Sequence, residues 1–199
     1  MPVRVGIIGV GYMGRVHGRL LRDDKCCGLR AVFDTDDERK QEAAKELGCQ
    51  AAASEAALLE QVDAVWIAVP NTLHAAVAQR ALGADKHVFC EKPFATTLPE
   101  ARQVRAAAAS SKKVFQVGHN RRFAPVYQAA KKLLEAEEPT LAHFKMNRGE
   151  LQKPAWTADR NVTGGYLYET PYHLFDLARW LFGEVAEVRL RGKGFPLAG

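Results

Sequence analysis

Along the first 118 residues, short apolar runs alternate with longer stretches of helical period. The runs are Val3–Ile8, Leu29–Phe33, a weaker one at Gln50–Ala52, Ala64–Val69, His87–Cys90 and Val114–Gly118. They are apolar rather than cleanly alternating, as strands covered on both faces should be. The segments between them carry helix punctuation. Asp36–Leu47 closes at Gly48, a suitable C-cap, and Ser54 stands where a short helix needs an N-cap. Thr72–Leu82 closes at Gly83. Leu98–Ser110 follows Thr96 and Thr97 and carries Pro99 and Glu100 in its first turn. Strand–helix alternation of this kind predicts βαβ units and a doubly wound parallel sheet, an α/β fold, over residues 1–120.

After Gly118 the rhythm changes. Phe123–Ala136 reads as a helix, Thr140–Asn147 as a strand, Arg148–Gly164 as a polar segment, residues 166–182 as one helix and Val185–Arg191 as a strand. Residues 121–199 are therefore expected to begin a second α/β domain. One or two strands with one or two helices cannot close a mixed-sheet core, so the second domain is expected to be very small, completed by a partner or truncated, with truncation preferred.

The first strand opens directly into Gly9-Val10-Gly11-Tyr12-Met13-Gly14, the G-x-G-x-x-G turn of a dinucleotide site. Gly9 permits the tight turn, Gly11 leaves the backbone open to a pyrophosphate, and Gly14 lets the next helix pack close to the strand. The amide groups at that helix start would face the anion. The second strand ends at Asp34, twenty positions after Gly14, where a carboxylate accepts from a ribose diol and repels a 2′-phosphate. NAD is thus expected rather than NADP. Arg39 is near in sequence but falls on a predicted helix, where it could simply face solvent.

Composition adds exclusions. The chain has 199 residues, 47% hydrophobic and 26% charged, ordinary for a globular protein. No apolar stretch reaches membrane-span length and no signal-peptide pattern opens the chain. Cys26, Cys27, Cys49 and Cys90 form no C-x-x-C pair, which suggests a reducing compartment, a cytoplasmic protein and no zinc. The net charge of +5 is dispersed, without a nucleic-acid motif, and an anionic cofactor accounts for part of it.

Chemistry-bearing residues cluster after the predicted strands, where open α/β sheets bind ligands. Pro70, Asn71 and His74 follow the fourth strand, Glu91, Lys92 and Pro93 the fifth, and Asn120, Arg121 and Arg122 the sixth. Each alone could be an ordinary loop or cap. The Lys92 ammonium could hold a substrate hydroxyl and stabilise its oxygen as negative charge grows. Glu169 and His173, four apart in a helical pattern, could share a face, with the carboxylate orienting an imidazole that takes an alcohol proton. A surface Glu–His pair fits the same spacing. Asp176 could orient His173 or cap local structure. Trp156 and Tyr172 could stack on a sugar ring or simply pack in a core. Arg122 and Arg160 could bind a carboxylate or pair with Asp159 or Glu169. With no arginine inside residues 169–176, a neutral sugar or polyol is preferred over a sugar acid.

The chain resembles the glucose–fructose oxidoreductase / inositol dehydrogenase / rhizopine-catabolism family. The resemblance rests on the glycine turn, His17, Pro70-Asn71 with His74, Glu91-Lys92-Pro93, Gly118-His119-Asn120-Arg121-Arg122-Phe123, Gly164-Gly165, His173, Asp176 and Arg179-Trp180. It implies a Rossmann-type domain, a C-terminal α/β domain with a mostly antiparallel sheet, and a homo-oligomer in the full-length form. It also implies an NAD-dependent oxidoreductase acting on a sugar, polyol or cyclitol. Lys92 and His173 would act on substrate, and Pro70, Asn71, His74, Glu91 and Lys92 would join Gly9, Gly11, Tyr12, Met13, Gly14 and Asp34 around the cofactor. Arg122, Trp156 and Tyr172 would border the substrate. Two departures stand out: Glu169 where the family usually has aspartate, and Pro171 where it usually has a small residue. A catalytically silent nucleotide-binding regulator or scaffold is the alternative.

Overall fold

The computed structural model describes residues 1–137, 139–146 and 159–189. They divide into two compact units. The first holds Met1–His119 with the described residues of Lys145–Tyr172, and the second holds Asn120–Phe144 with those from His173 onward.

The first unit is built on six parallel strands: β1 (Val3–Ile8), β2 (Cys27–Phe33), β3 (Gln50–Ala51), β4 (Ala64–Ile67), β5 (His87–Cys90) and β6 (Phe115–Val117). Their order across the sheet is β3-β2-β1-β4-β5-β6. The order reverses beside β1, which sets the loops after β1 and β4 apart and opens a crevice at the strand ends. The helices are α1 (Tyr12–Asp23), α2 (Asp37–Leu47), α3 (Glu55–Gln61), α4 (His74–Gly83) and α5 (Leu98–Ser110). Two apolar cores result, as a sheet covered on both faces demands. One gathers Ile8, Leu58, Val65, Ile67, Ala78, Val88 and Val104; the other gathers Val5, Ile7, Val10, Val32 and Leu47.

Helix boundaries follow local chemistry. The Asp36 side chain accepts from the Arg39 amide at the start of α2, and Gly48 ends that helix in the left-handed region at φ 68°. Ser54 caps α3 through the Ala57 amide. At α5, Thr97 and Glu100 satisfy each other's backbone amides in a capping box. Across the β1–β4 seam, Arg4 donates from its amide and Nε to Oδ2 of Asp63, and from Nη2 to Oδ1.

Beyond the sheet, the chain forms α6 (Pro125–Ala136), α7 (Arg160–Thr163), α8 (Tyr166–Glu169) and α9 (Tyr172–Phe182). Three expectations change here. Residues 166–182 are not one helix: α8 ends at Glu169, with Thr170 as its C-cap, and α9 begins at Tyr172, with Pro171 between. A proline disfavours helical geometry in the residue before it and removes an amide from the ladder. The expected strands at 140–147 and 185–191 are irregular over 141–146 and 183–189. Their residues have strand composition, but a strand exists only through a hydrogen-bonded neighbour, and none pairs with them among the described residues. In the second unit, Lys131 of α6 lies over the Trp180 ring of α9 at 5.8 Å.

Candidate active site

The glycine turn is shaped as its spacing predicts. Gly9 has φ 90°, and a Cβ there would lie 2.6 Å from the Ala68 carbonyl oxygen. A Cβ on Gly14 would drive into the Gly9 carbonyl oxygen, so α1 can start this close to β1 only with glycine. Gly11 differs: a Cβ there would meet nothing within 4 Å. Its glycine is not required by the fold, which leaves open space where a pyrophosphate would approach. Gly11 also precedes α1 without a side-chain cap, so the first amides of a twelve-residue helix are left to a ligand. Tyr12 and Met13 project outward.

Asp34 is nearly buried and holds the turn itself. Its Oδ2 accepts from the Val10 amide and its Oδ1 from the Asp36 amide, both at 3.0 Å. Each oxygen keeps a second acceptor position for a ribose hydroxyl. Arg39 is exposed, as its helix position allows, and also pairs locally. Its Nη2 sits 2.7 Å from Asp36 and 3.8 Å from Asp34. The residues present fit a dinucleotide.

Lys92 follows β5, and the Lys92–Pro93 peptide is cis. Its Nζ donates to the Glu169 carbonyl at 2.9 Å and lies 3.7 Å from Oε2 of the same residue. Both side chains are only 14% exposed, so the pair interacts through little water. Asn71 is buried and gives one amide hydrogen to the Thr163 carbonyl and the other to Oε2 of Glu169. Lys92, Glu169 and Asn71 thus form one hydrogen-bonded cluster at the carboxyl edge of the sheet. Gly164 and Gly165, at φ 79° and 111°, carry the chain from α7 to α8 and bring Glu169 there. Pro70 is exposed at the end of β4.

Several assignments read from spacing are corrected. His74 does not line a cofactor surface: it is 1% exposed, with Nδ1 2.6 Å from the Pro93 carbonyl oxygen and Nε2 2.8 Å from that of Val69. Glu91 is engaged within the fold, since Oε1 meets Nε2 of His17 at 2.7 Å and Oε2 accepts from the Lys92 amide. Glu169 and His173 lie on different helices, so their spacing of four does not place them on one helical face. Arg122 forms a two-pronged bond with Asp176, Nε to Oδ2 at 2.9 Å and Nη2 to Oδ1 at 2.5 Å. Tyr172 stacks on His119 at 5.7 Å, with its hydroxyl 3.2 Å from Nε2. His173 is the second residue of α9, and Trp156 lies outside the described residues. His17 and His119 entered the sequence reading only as family motif. The signal for His17 is its place one turn after Gly14 on α1, from where its ring meets Phe89 of β5.

No helix among the described residues is long and apolar enough to cross a membrane. Among them, no three His, Cys, Asp or Glu side chains group as metal ligands.

Comparison with known proteins agrees with this geometry. Residues 3–119 match the family model described as oxidoreductase family, NAD-binding Rossmann fold, and residues 127–196 match a C-terminal domain model of the same family. The chain is 40% identical over 150 residues to UDP-N-acetylglucosamine 3-dehydrogenase of Acidithiobacillus ferrooxidans, covering 72% of this chain and 47% of that protein. It is 34% identical to inositol 2-dehydrogenase 4 of Saccharopolyspora erythraea, covering 92% of this chain and 54% of the relative. Among solved structures, GenD2 from gentamicin A biosynthesis in complex with NAD superposes with TM-score 0.79 at 26% identity, covering 92% of this chain and 54% of that one. The chain spans about half the length of the curated relatives it matches. A Rossmann-type sheet with the glycine turn, the Glu-Lys-Pro turn and both family models in register places the chain in the Gfo/Idh/MocA oxidoreductase family.

Proposed function

We propose that the protein transfers a hydride between NAD and a secondary alcohol of a sugar, polyol or cyclitol. The observation that carries this reading is Lys92, whose ammonium stands at the carboxyl edge of the sheet, beside Glu169, in the same compact unit as the glycine turn. NAD supplies the hydride acceptor. The glycine turn and the start of α1 hold the pyrophosphate, and Asp34 accepts from the adenosine ribose and disfavours a 2′-phosphate. Lys92 grips the alcohol oxygen and stabilises its growing negative charge. His173 takes and returns the alcohol proton, a role resting on the family resemblance. Glu169 sets the charge around Lys92. Tyr172 borders the substrate.

Relatives named as dehydrogenases of UDP-N-acetylglucosamine, inositol and glucose 6-phosphate support a ring hydroxyl as the reacting group. The engagement of Arg122 by Asp176 supports a neutral reacting ring over a sugar acid. The division near residue 120 separates dinucleotide binding from substrate binding. A cytoplasmic homo-oligomer without nucleic-acid partners completes the proposal.

Fluorescence titration with NADH and NADPH tests the cofactor, and turnover of a polyol and sugar panel tests the reaction. Tighter NADPH binding would overturn the Asp34 argument. Turnover that survives Lys92→Ala would remove Lys92 from the chemistry. Cofactor binding without turnover across the panel would leave the regulator or scaffold reading.

A further inference from the structure

We propose that His17 and His74 are positioning residues that bracket Lys92 from the two sides of the Glu91-Lys92-Pro93 turn. The proposal rests on the reading of Lys92 as the group that holds the reacting oxygen.

The first arm runs through Glu91. Burial pushes this carboxyl's pKa up, but the hydrogen bond from His17, the Lys92 amide and the nearby positive charges outweigh it, and the pKa lies below its ordinary value. The group is therefore a carboxylate and can only accept. Nε2 of His17 must donate to Oε1, and the Lys92 amide donates to Oε2. One carboxylate thus ties the helix after the glycine turn to the backbone of Lys92. The His17 ring is fixed edge-on to Phe89 at 5.3 Å, so this arm has little freedom to swing.

The second arm runs through His74 at the start of α4. Its ring spans the carbonyls of Val69, just past β4, and Pro93, just past Lys92. Both contacts are to main-chain oxygens; a neutral ring has one N–H, so it donates to one of these carbonyls and packs against the other, constraining the backbone rather than another side chain. The backbone is thus held immediately before and immediately after Lys92, by histidines from two different helices. Only then does the Lys92 side chain reach the Glu169 carbonyl at 2.9 Å. The geometry also links the cofactor-facing helix to the lysine through one hydrogen-bonded carboxylate.

The test reads the lysine directly. Amine acylation is followed residue by residue by peptide mass spectrometry in the whole chain, for His17→Ala, His17→Gln and His74→Gln. Lys40, buried on α2 and paired with Asp37, is the internal control. The bracket predicts that His17→Ala and His74→Gln speed Lys92 acylation about tenfold while Lys40 is unchanged, and that His17→Gln, which can still donate to Glu91, restores a slow rate. Equal rates at Lys92 in all variants would overturn the proposal. So would a parallel rise at Lys92 and Lys40, which would mean that the histidines only hold the fold, or a His17→Gln rate equal to that of His17→Ala. In parallel, NADH dissociation constants are expected to stay within about twofold of the parent in His17→Ala. Loss of NADH binding in the parent chain would count against the functional reading and leave the acylation result standing.

Discussion

The side-chain amide of Asn71 joins segments far apart in the chain: Nδ2 lies 3.1 Å from the Thr163 carbonyl oxygen and 3.1 Å from Oε2 of Glu169. Asn71 is 7% exposed, so water cannot readily replace it. Asn71→Ala leaves a carbonyl and a carboxylate oxygen short of donors and is expected to cost about 1–3 kcal/mol, read from urea unfolding. Asn71→Asp sets a second carboxylate against Glu169. Its loss is expected to be larger at neutral pH and to shrink in mild acid, as one carboxyl takes up a proton.

The glycine turn gives a contrasting pair. Gly11→Val has room in the fold and is expected to keep the parent melting temperature while NADH affinity falls at least about tenfold, because the side chain fills the pyrophosphate approach. Gly14→Ala is expected to lower the melting temperature itself, since its Cβ meets the Gly9 carbonyl. Differential scanning fluorimetry with and without NADH separates the two.

His74 sets a pH dependence. Burial is the main influence on its ring and lowers its pKa, with the carbonyls of Pro93 and Val69 opposing. The unfolded chain, with an ordinary value of about 6.5, therefore binds the proton first as pH falls. Above that pH the ring is neutral in both states and contributes no slope. Below it, stability falls until pH drops through the folded-state value. The urea midpoint of the parent should decline between about pH 7 and pH 5, and the decline should be shallower in His74→Gln. Identical slopes in the two proteins would rule this group out as the cause.

Arg122 and Asp176 form the polar tie of the second unit. The carboxylate is 8% exposed and the guanidinium 34%, so one partner is buried and the other half-screened. Arg122→Ala is expected to cost on the order of 1–3 kcal/mol by removing a two-pronged guanidinium bond from a buried carboxylate. Arg122→Ala combined with Asp176→Asn should cost less than the sum of the single changes. A double-mutant cycle on unfolding free energy measures the coupling.

The sheet, its helices and the glycine turn were legible because each rests on local signals: apolar runs, Ser54 and Thr97 caps, Gly48, and the spacing from Gly14 to Asp34. The site was legible as a set of residue types and less as a set of partners. Spacing suggested that Glu169 serves His173, yet Pro171 breaks the helix between them and Asn71, nearly a hundred positions away, takes the carboxylate. His74 lay among plausible cofactor residues because sequence carries no record of burial. The Arg122–Asp176 pair, 54 positions apart, was hidden for the same reason: long-range pairing is decided by tertiary packing, and charge alone does not choose among several acids.

The β1–β4 seam, closed by Arg4 and Asp63, bears on the order of assembly. Val5 meets Leu29 on one side and Ala64 on the other, so β1 finds its second neighbour more than twice as far along the chain as its first. Closing the longer loop costs more entropy before any pairing rewards it. The β1–β3 half can therefore take shape while β4 is still being sought. The crevice at the head of the sheet needs strand ends from both halves, so a nucleotide pocket exists only once they have joined and belongs to neither half alone.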